Sequence, residues 1–386
     1  MDLIKYQDLI VKHRSNLHQI PELGFDLPKT HAYVKKELQA LGYQIYVTAK
    51  TGIIAYQKGL KDDAVAFRSD MDALSVLEQT KHAYPSLHHG QMHACGHDGH
   101  MALLLAFAAY VKTLKNLSYS VVFIFQPAEE GPGGAKVIVD DGMLEKFHVK
   151  KIFGMHVFPH LNEGVFGLKE GPMLARNGEF EIMIKGQSGH AAQPHLGKDA
   201  LVIASKLIID CQTIVSRMIN PIEPAVITFG KMIGGEARNI IAKDCFIQGT
   251  IRAFDDNVYQ KIKHQMEKLK TAYQDVYDIE IDMQIIDYYP TVFNDSALFH
   301  HIKSLLDDTS YDMLDPLMFS EDFAFYQQKV PGMFLMLGVR NEQKGFIHPL
   351  HSCYFDFEPK VLIKGFELYQ NILNHIDLFF KAPKNI

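Results

Sequence analysis

The chain has little of what marks several large classes of protein. Its 386 residues hold only four cysteines, which make no disulfide framework, and a reducing cytoplasm is the expected location. There is no basic excess: 39 Lys and Arg against 45 Asp and Glu leave a net charge of −6. That argues against nucleic acid as a partner, because phosphate contacts need a basic surface. No apolar run is long. Met101–Val111 is the longest, well short of the roughly 20 residues that span a bilayer, so no membrane partner is expected. The opening MDLIKYQDLIVKHR is broken by Asp2, Lys5 and Asp8, so no signal peptide is expected. Low-complexity tracts and repeats of fixed period are absent. The remaining composition, 47% hydrophobic and 22% charged, is that of an ordered globular protein. At roughly 150 residues per domain the length suggests two or three domains.

Periodicity divides the chain. A first helix is expected to be capped by Asp2, to carry Ile10 and Leu17 on its apolar stripe, and to stop before Pro21. A second is expected after Thr30, with Val34, Leu38 and Leu41 at helical spacing and Gly42 as its stop. Ala64–Phe67, Ser120–Phe125 and Lys151–Val157 read as buried strands around a long apolar helix from His100 to about Leu117. Alternating apolar strands and helices mean an α/β sheet. From Glu179 the pattern changes to strand, helix (Asp199–Arg217), strands near Ala225–Phe229 and Cys245–Ile251, helix (Asn257–Tyr273) and strand (279–286). That order is the βαββαβ of a ferredoxin-like domain. Residues 288–295 read as a linker. The expected organisation is a catalytic domain in two parts, 1–178 and 290–386, with 179–289 inserted.

Of 20 histidines, the informative ones fall in clusters. In HACGHDGH (93–100), Cys95 and His97 sit two apart beside Gly96 and Gly99. Within a helix that spacing would part them, but in a turn they can converge on one ion. The plainer alternative is a His-rich helix cap with a buried thiol. In FQPAEEGPGG (125–134), the neighbours Glu129 and Glu130 cannot easily point the same way, so one could bind metal while the other works as a base. Their position after an apolar strand suits a ligand site. His156 in GMHV, and His348 and His351 in HPLHSCYF, complete the set. A structural zinc would be closed by four ligands; more than four candidates and a spare glutamate favour a catalytic two-metal site.

These motifs, with HRSNLHQIPELGF (13–25), RSDMDAL (68–74), GHAAQPH (189–195), GGEARNII (234–241), GTIRAF (249–254), SEDF (320–323) and LHSCYF (350–355), run in order through nearly the whole chain. They resemble the N-acyl-amino-acid amidohydrolases of the aminoacylase and carboxypeptidase G superfamily of metallopeptidases. The branch includes hippurate hydrolase, indole-acetyl-amino-acid hydrolase and N-acetyldiaminopimelate deacetylase. The resemblance implies a phosphorylase/hydrolase-like mixed-sheet catalytic domain with an inserted ferredoxin-like dimerisation or lid domain, and a homodimer. It implies that Cys95, His97, Glu130, His156 and His351 bind two divalent ions, with Cys95 bridging, and that Glu129 is the general base. His190 is implied to serve the other subunit's active site, and Asn239 and Arg252 to hold the substrate carboxylate. Asp70 or Asp72 is expected to support the ligands, with no choice between them. Cys353 and Ala242 depart from the branch's pattern, standing where proline is common. The donor types suit Zn²⁺, Co²⁺ or Ni²⁺, while carboxylates admit Mn²⁺; manganese or zinc is favoured. The expected reaction is hydrolysis of an N-acyl, foremost N-acetyl, amino acid. GPGGA and TIVSRMINP (213–221) look most like the diaminopimelate deacetylases. Two other readings compete: a hydrolase with Cys95 as nucleophile, which leaves Glu130, His156 and His351 unexplained, and an inactive binder, against which Glu129 speaks.

Overall fold

The computed structural model describes residues 3–81 and 83–380; Asp2, the expected cap of the first helix, lies outside them. The chain divides into two compact units, each with its own apolar core. One takes 1–171, 293–315 and 322–386; the other takes 172–292 and 316–321. The short excursion 316–321 has no signature in periodicity. It belongs to the second unit through backbone bonds of Leu317 with Met173 and Ala175.

The first unit opens with helix α1 (Leu3–His18), which ends before Pro21, and α2 (Pro28–Ala40). Helix α2 begins earlier than expected because its cap is remote. Both Glu22 carboxylate oxygens accept the Lys29 amide, and one also accepts that of Thr30, while Pro28 has no amide hydrogen to satisfy. Strands β1 (Gln44–Thr48), β2 (Gly52–Gln57) and β3 (Lys61–Asp70) follow, then helix α3 (His97–Val111), β4 (Tyr119–Gln126), helix α4 (Gly134–Asp140), β5 (Val149–Asn162) and β6 (Phe166–Leu168). In α3, 14 of 15 residues are buried, so it is a core helix rather than an amphipathic one. It starts at His97 and stops at Val111, shorter at its far end than expected. Asn116 there has φ +59°, a left-handed turn that no helix continues through.

The second unit holds β7 (Arg176–Lys185), α5 (Ala200–Thr213), β8 (Ala225–Gly234), β9 (Asp244–Ala253), α6 (Asp256–Tyr277) and β10 (Glu280–Asp287). The four strands form one antiparallel sheet in the order β10-β7-β9-β8, the expected ferredoxin-like arrangement. Asp199 and Asp255 cap the two helices through their side chains. Val258, Tyr259, Ile262 and Met266 give α6 its buried stripe. Helix α5 ends in one π turn, Ile214–Met218.

Residues 292–294, expected as linker, form a short strand. The first unit then completes its sheet with β11 (Tyr311–Met313) and β12 (Gly332–Arg340), and packs α7 (Leu362–Asn374) on α3. The sheet is mixed, in the order β1-β2-β4-β3-β5-β12-β6-β11, with β4, β3, β5 and β12 parallel. Val65 and Phe67 of β3 join the core that contains α3 and α7, while Ala64, Ala66 and Arg68 alternate to the other face and are buried as well. Burial on both faces is what the unbroken apolar run of a central parallel strand requires. Among the described residues no helix is long and apolar enough to cross a membrane.

Candidate metal centre

Asp70 and Gln126 end β3 and β4 side by side, and the parallel register of β5, which pairs Arg68 with Gly154, brings His156 from the middle of β5 level with them. Helix α3 adds His97 at its first residue. The turn before it depends on Gly96, whose φ is +84°; a Cβ there would stand 2.5 Å from Val157 Cγ2. Only glycine lets the Cys95–His97 turn lie against the strand of His156.

Of the residues singled out in the sequence, Cys95, His97, Glu129, Glu130, His156 and His351 converge here. Cys95 Sγ lies 3.5 Å from His156 Nε2. His351 Nε2 lies 3.2 Å from Glu130 Oε1. His97 Nε2 is 4.0 Å from a carboxylate oxygen of Glu129 and 4.0 Å from one of Glu130. Cys95, Glu130 and His351 form one potential ligand group, and His97, Glu129 and Glu130 another. His351 reaches its place with φ +66°, a left-handed state uncommon outside glycine.

Both aspartates left open by the sequence support this set. The Asp72 carboxylate accepts the amides of Glu129 (2.9 Å) and Glu130 (3.1 Å), and its carbonyl accepts His97 Nδ1–H at 2.8 Å. Asp70 accepts from His100 Nδ1 at 2.7 Å and from Arg68 at 2.8 Å. His100 Nε2 in turn accepts the Val157 amide. His156 donates Nδ1–H to the Val157 carbonyl at 2.7 Å. The Nδ1 atoms of His97 and His156 are therefore engaged, and both rings present Nε2 inward.

These residues fit divalent metal. His97 Nε2 is buried without a hydrogen-bond partner, a state polar atoms avoid unless something else binds them. Burial alone would lower the pKa of His97, but Asp70, Asp72 and Glu130 outweigh it and raise it to about 10: the carboxylates call for positive charge at this spot. Burial also opposes ionisation of Glu130, yet His351 and His97 hold it below its ordinary value. Burial, then His100, lower His156 to about 3, leaving a neutral imidazole suited to coordination. The Cys95 thiol is pushed well up by burial and by Glu130 and Glu129. A thiolate is stable here only beside a cation that offsets those carboxylates. The same shift argues against Cys95 as a nucleophile, which needs a lowered pKa.

His190, Asn239 and Arg252 belong to the second unit. His190 is exposed, bridges to Ile240, and accepts the Ala192 amide on Nδ1. Asn239 is exposed nearby, its carbonyl taking the Ala191 amide. The motifs GHAAQPH and GGEARNII thus lie side by side. Arg252 on β9 donates to the Met318 carbonyl and to Ser320 Oγ.

Residue patterns missed several supporting groups. His100 was one of many histidines. Arg68 and Asp322 stood inside recognised motifs with no role assigned. Arg14 and His18, which grip Asp98 at 3.2 and 2.8 Å, lie 84 and 80 positions before it; only the motif around them gave a signal.

Residues 66–375 match the family model of peptidase family M20/M25/M40. The chain is 38% identical over 385 residues to an IAA-amino acid hydrolase of Arabidopsis thaliana, covering 97% of this chain and 87% of that one. A crystal structure from methicillin-resistant Staphylococcus aureus superposes with a TM-score of 0.91 at 30% identity, covering 97% of both chains. The Bacillus subtilis YxeP protein, a dinuclear metal-binding peptidase of the M20 family, gives a TM-score of 0.83 at 30% identity, covering 97% of this chain and 99% of that one.

Proposed function

The chain belongs to peptidase family M20/M25/M40 and is a metal-dependent hydrolase of amides, and from that premise we propose that it cleaves N-acyl amino acids, N-acetyl ones foremost, to a carboxylate and a free amino acid. The observation that carries this reading is the Glu pair. Asp72 holds both amides, both carboxylates come within 4.0 Å of His97, and that of Glu130 also meets His351 at 3.2 Å. Cys95, His97, Glu130, His156 and His351 would hold two divalent ions, manganese or zinc, with nickel and cobalt as further candidates. Such ions draw charge from the scissile carbonyl and bring the pKa of water towards about 7. Glu129 takes the proton of the attacking water and passes it to the leaving nitrogen. Asn239 and Arg252 hold the substrate carboxylate.

We read the working form as a cytoplasmic homodimer in which His190 serves the neighbouring subunit's site and donates to the developing oxyanion. Strand β8 is an edge of its sheet and exposes Val226, Met232 and Ile233; such an edge needs a cover, and a second copy supplies one. The narrower reading, an N-acetyldiaminopimelate deacetylase of lysine biosynthesis, rests on GPGGA and TIVSRMINP alone. The test is a panel of N-acyl amino acids, including N-acetyl-L,L-diaminopimelate, assayed on protein loaded with manganese or zinc. Turnover of at least one is expected. Cleavage of unblocked peptides with none of the N-acyl amino acids turned over would overturn the reading.

A further inference from the structure

The loop that carries Glu129 and Glu130 is held in an unfavourable shape. Ala128 has φ +58°, a state that residues with side chains avoid. The amides of Gly133 and Gly134 both fold back onto the Ala128 carbonyl at 3.0 Å. A Cβ at Gly134 would stand 1.8 Å from the Pro127 carbonyl oxygen. Such a loop persists only where its surroundings over-determine it. Asp72 grips its middle; a second carboxylate, Asp322, grips its two roots. Asp322 is fully buried. Its Oδ2 accepts the Ala135 amide at 2.9 Å, just beyond the loop, and Gln126 Nε2 at 2.7 Å, just before it. Its Oδ1 accepts Gln126 Nε2 at 2.8 Å and Arg68 Nη2 at 3.0 Å. Arg68 reaches on to Asp70, and Asp70 through His100 to the amide beside His156.

Carboxylate oxygens of Asp322 and Glu129 lie within 4.8 Å of each other. Asp322 is paired with Arg68, but a buried ion pair close to another carboxylate is weak support for a fold, since apolar side chains in place of the whole pair often serve stability as well. We infer that Asp322 is a positioning residue: by joining both roots of the Glu129–Glu130 loop to the Arg68–Asp70–His100 chain, it fixes the two glutamates against the His97 and His156 wall. This rests on the roles proposed above for Glu129 and Glu130.

The test is Asp322→Asn, which keeps the size but turns one acceptor oxygen into an amide. It is compared with the parent, with Glu130→Gln, and with Ile302→Val as a control for general loss of stability. Manganese(II) chloride titrated by calorimetry into metal-stripped protein is the first readout. Affinity in Asp322→Asn should fall about tenfold or more, the usual effect of losing support behind a ligand. The second readout is hydrolysis: kcat should fall by roughly 10- to 100-fold with KM within about threefold. Ile302→Val should change neither. Should Asp322→Asn fail to fold, Gln126→Met, which takes one donor from each Asp322 oxygen, is read in the same way. Manganese affinity and kcat within about twofold of the parent, or equal losses in Ile302→Val, would overturn the inference. Parent-like affinity in Glu130→Gln would instead discard the reading of the Glu pair.

Discussion

The two units place their polar groups in opposite ways. In the first, Asp70, Asp72, His97, Asp98 and His100 are each no more than 3% exposed, and each is tied to named partners. In the second, His190 and Asn239 stand in solvent on neighbouring turns. Buried groups have their geometry fixed by folding, because leaving them unpaired costs too much. Exposed groups gain fixed geometry only from what binds over them. Lesions in the first unit should therefore change metal binding and the chemical step. Lesions in the second should change catalysis without touching metal.

The sharpest contrast comes from the glutamate pair. Glu129→Gln keeps its amide on Asp72 but cannot accept a proton; the rate should fall by at least roughly 10², up to about 10⁴, with metal content unchanged. Glu130→Gln should lower metal content instead. Metal analysis beside steady-state kinetics checks both, and the reverse pattern would exchange their roles.

His190→Ala should also be slow, by about 10²–10³ if it removes an oxyanion donor, yet bind metal as the parent does. Mixed with Glu129→Gln in co-expressed dimers, it should recover about a quarter of parental activity: half the dimers are mixed, and half their sites carry neither lesion, assuming independent sites. No recovery despite proven mixing would place His190 outside the neighbouring site.

The smallest effect is on stability. His18 sits between Asp98 at 2.8 Å and Glu78 at 3.2 Å. Burial would lower its pKa, but those two carboxylates outweigh burial and raise it to about 9 from the ordinary 6.5. A raised folded-state pKa means that the stabilisation is complete below pH 6.5 and is lost as pH climbs through 9. The amount is on the order of 3 kcal/mol. Denaturant unfolding at stepped pH should show this slope in the parent and not in His18→Gln. In the second unit, Lys198→Gln removes an exposed pair with Asp278 and should leave the profile as it was.

What could be read in the sequence was what is local. Cys95 and His97 announce a turn because Gly96 lies between them, and the Glu pair declares itself by adjacency and by the strand before it. The βαββαβ order was legible because each element carries its own period. What could not be read depends on distant partners. Asp70 and Asp72 look alike in RSDMDAL and differ only in what they meet: Arg68 and His100 for one, the amides of Glu129 and Glu130 for the other. Helix α2 starts early because Glu22 caps it from outside the usual window. The segment 316–321 belongs to the second unit through backbone bonds that no side-chain pattern records.

In the proposed reading, Cys95, His97, Glu130, His156 and His351 of the first unit hold two divalent ions that serve amide hydrolysis, with Cys95 at the centre. Elemental analysis of the purified parent and of Cys95→Ala, paired with hydrolysis of the best N-acyl amino acid, tests it most directly. About two ions per chain are expected in the parent, with metal and turnover lost together in Cys95→Ala. Full metal occupancy with parental turnover in Cys95→Ala would contradict it.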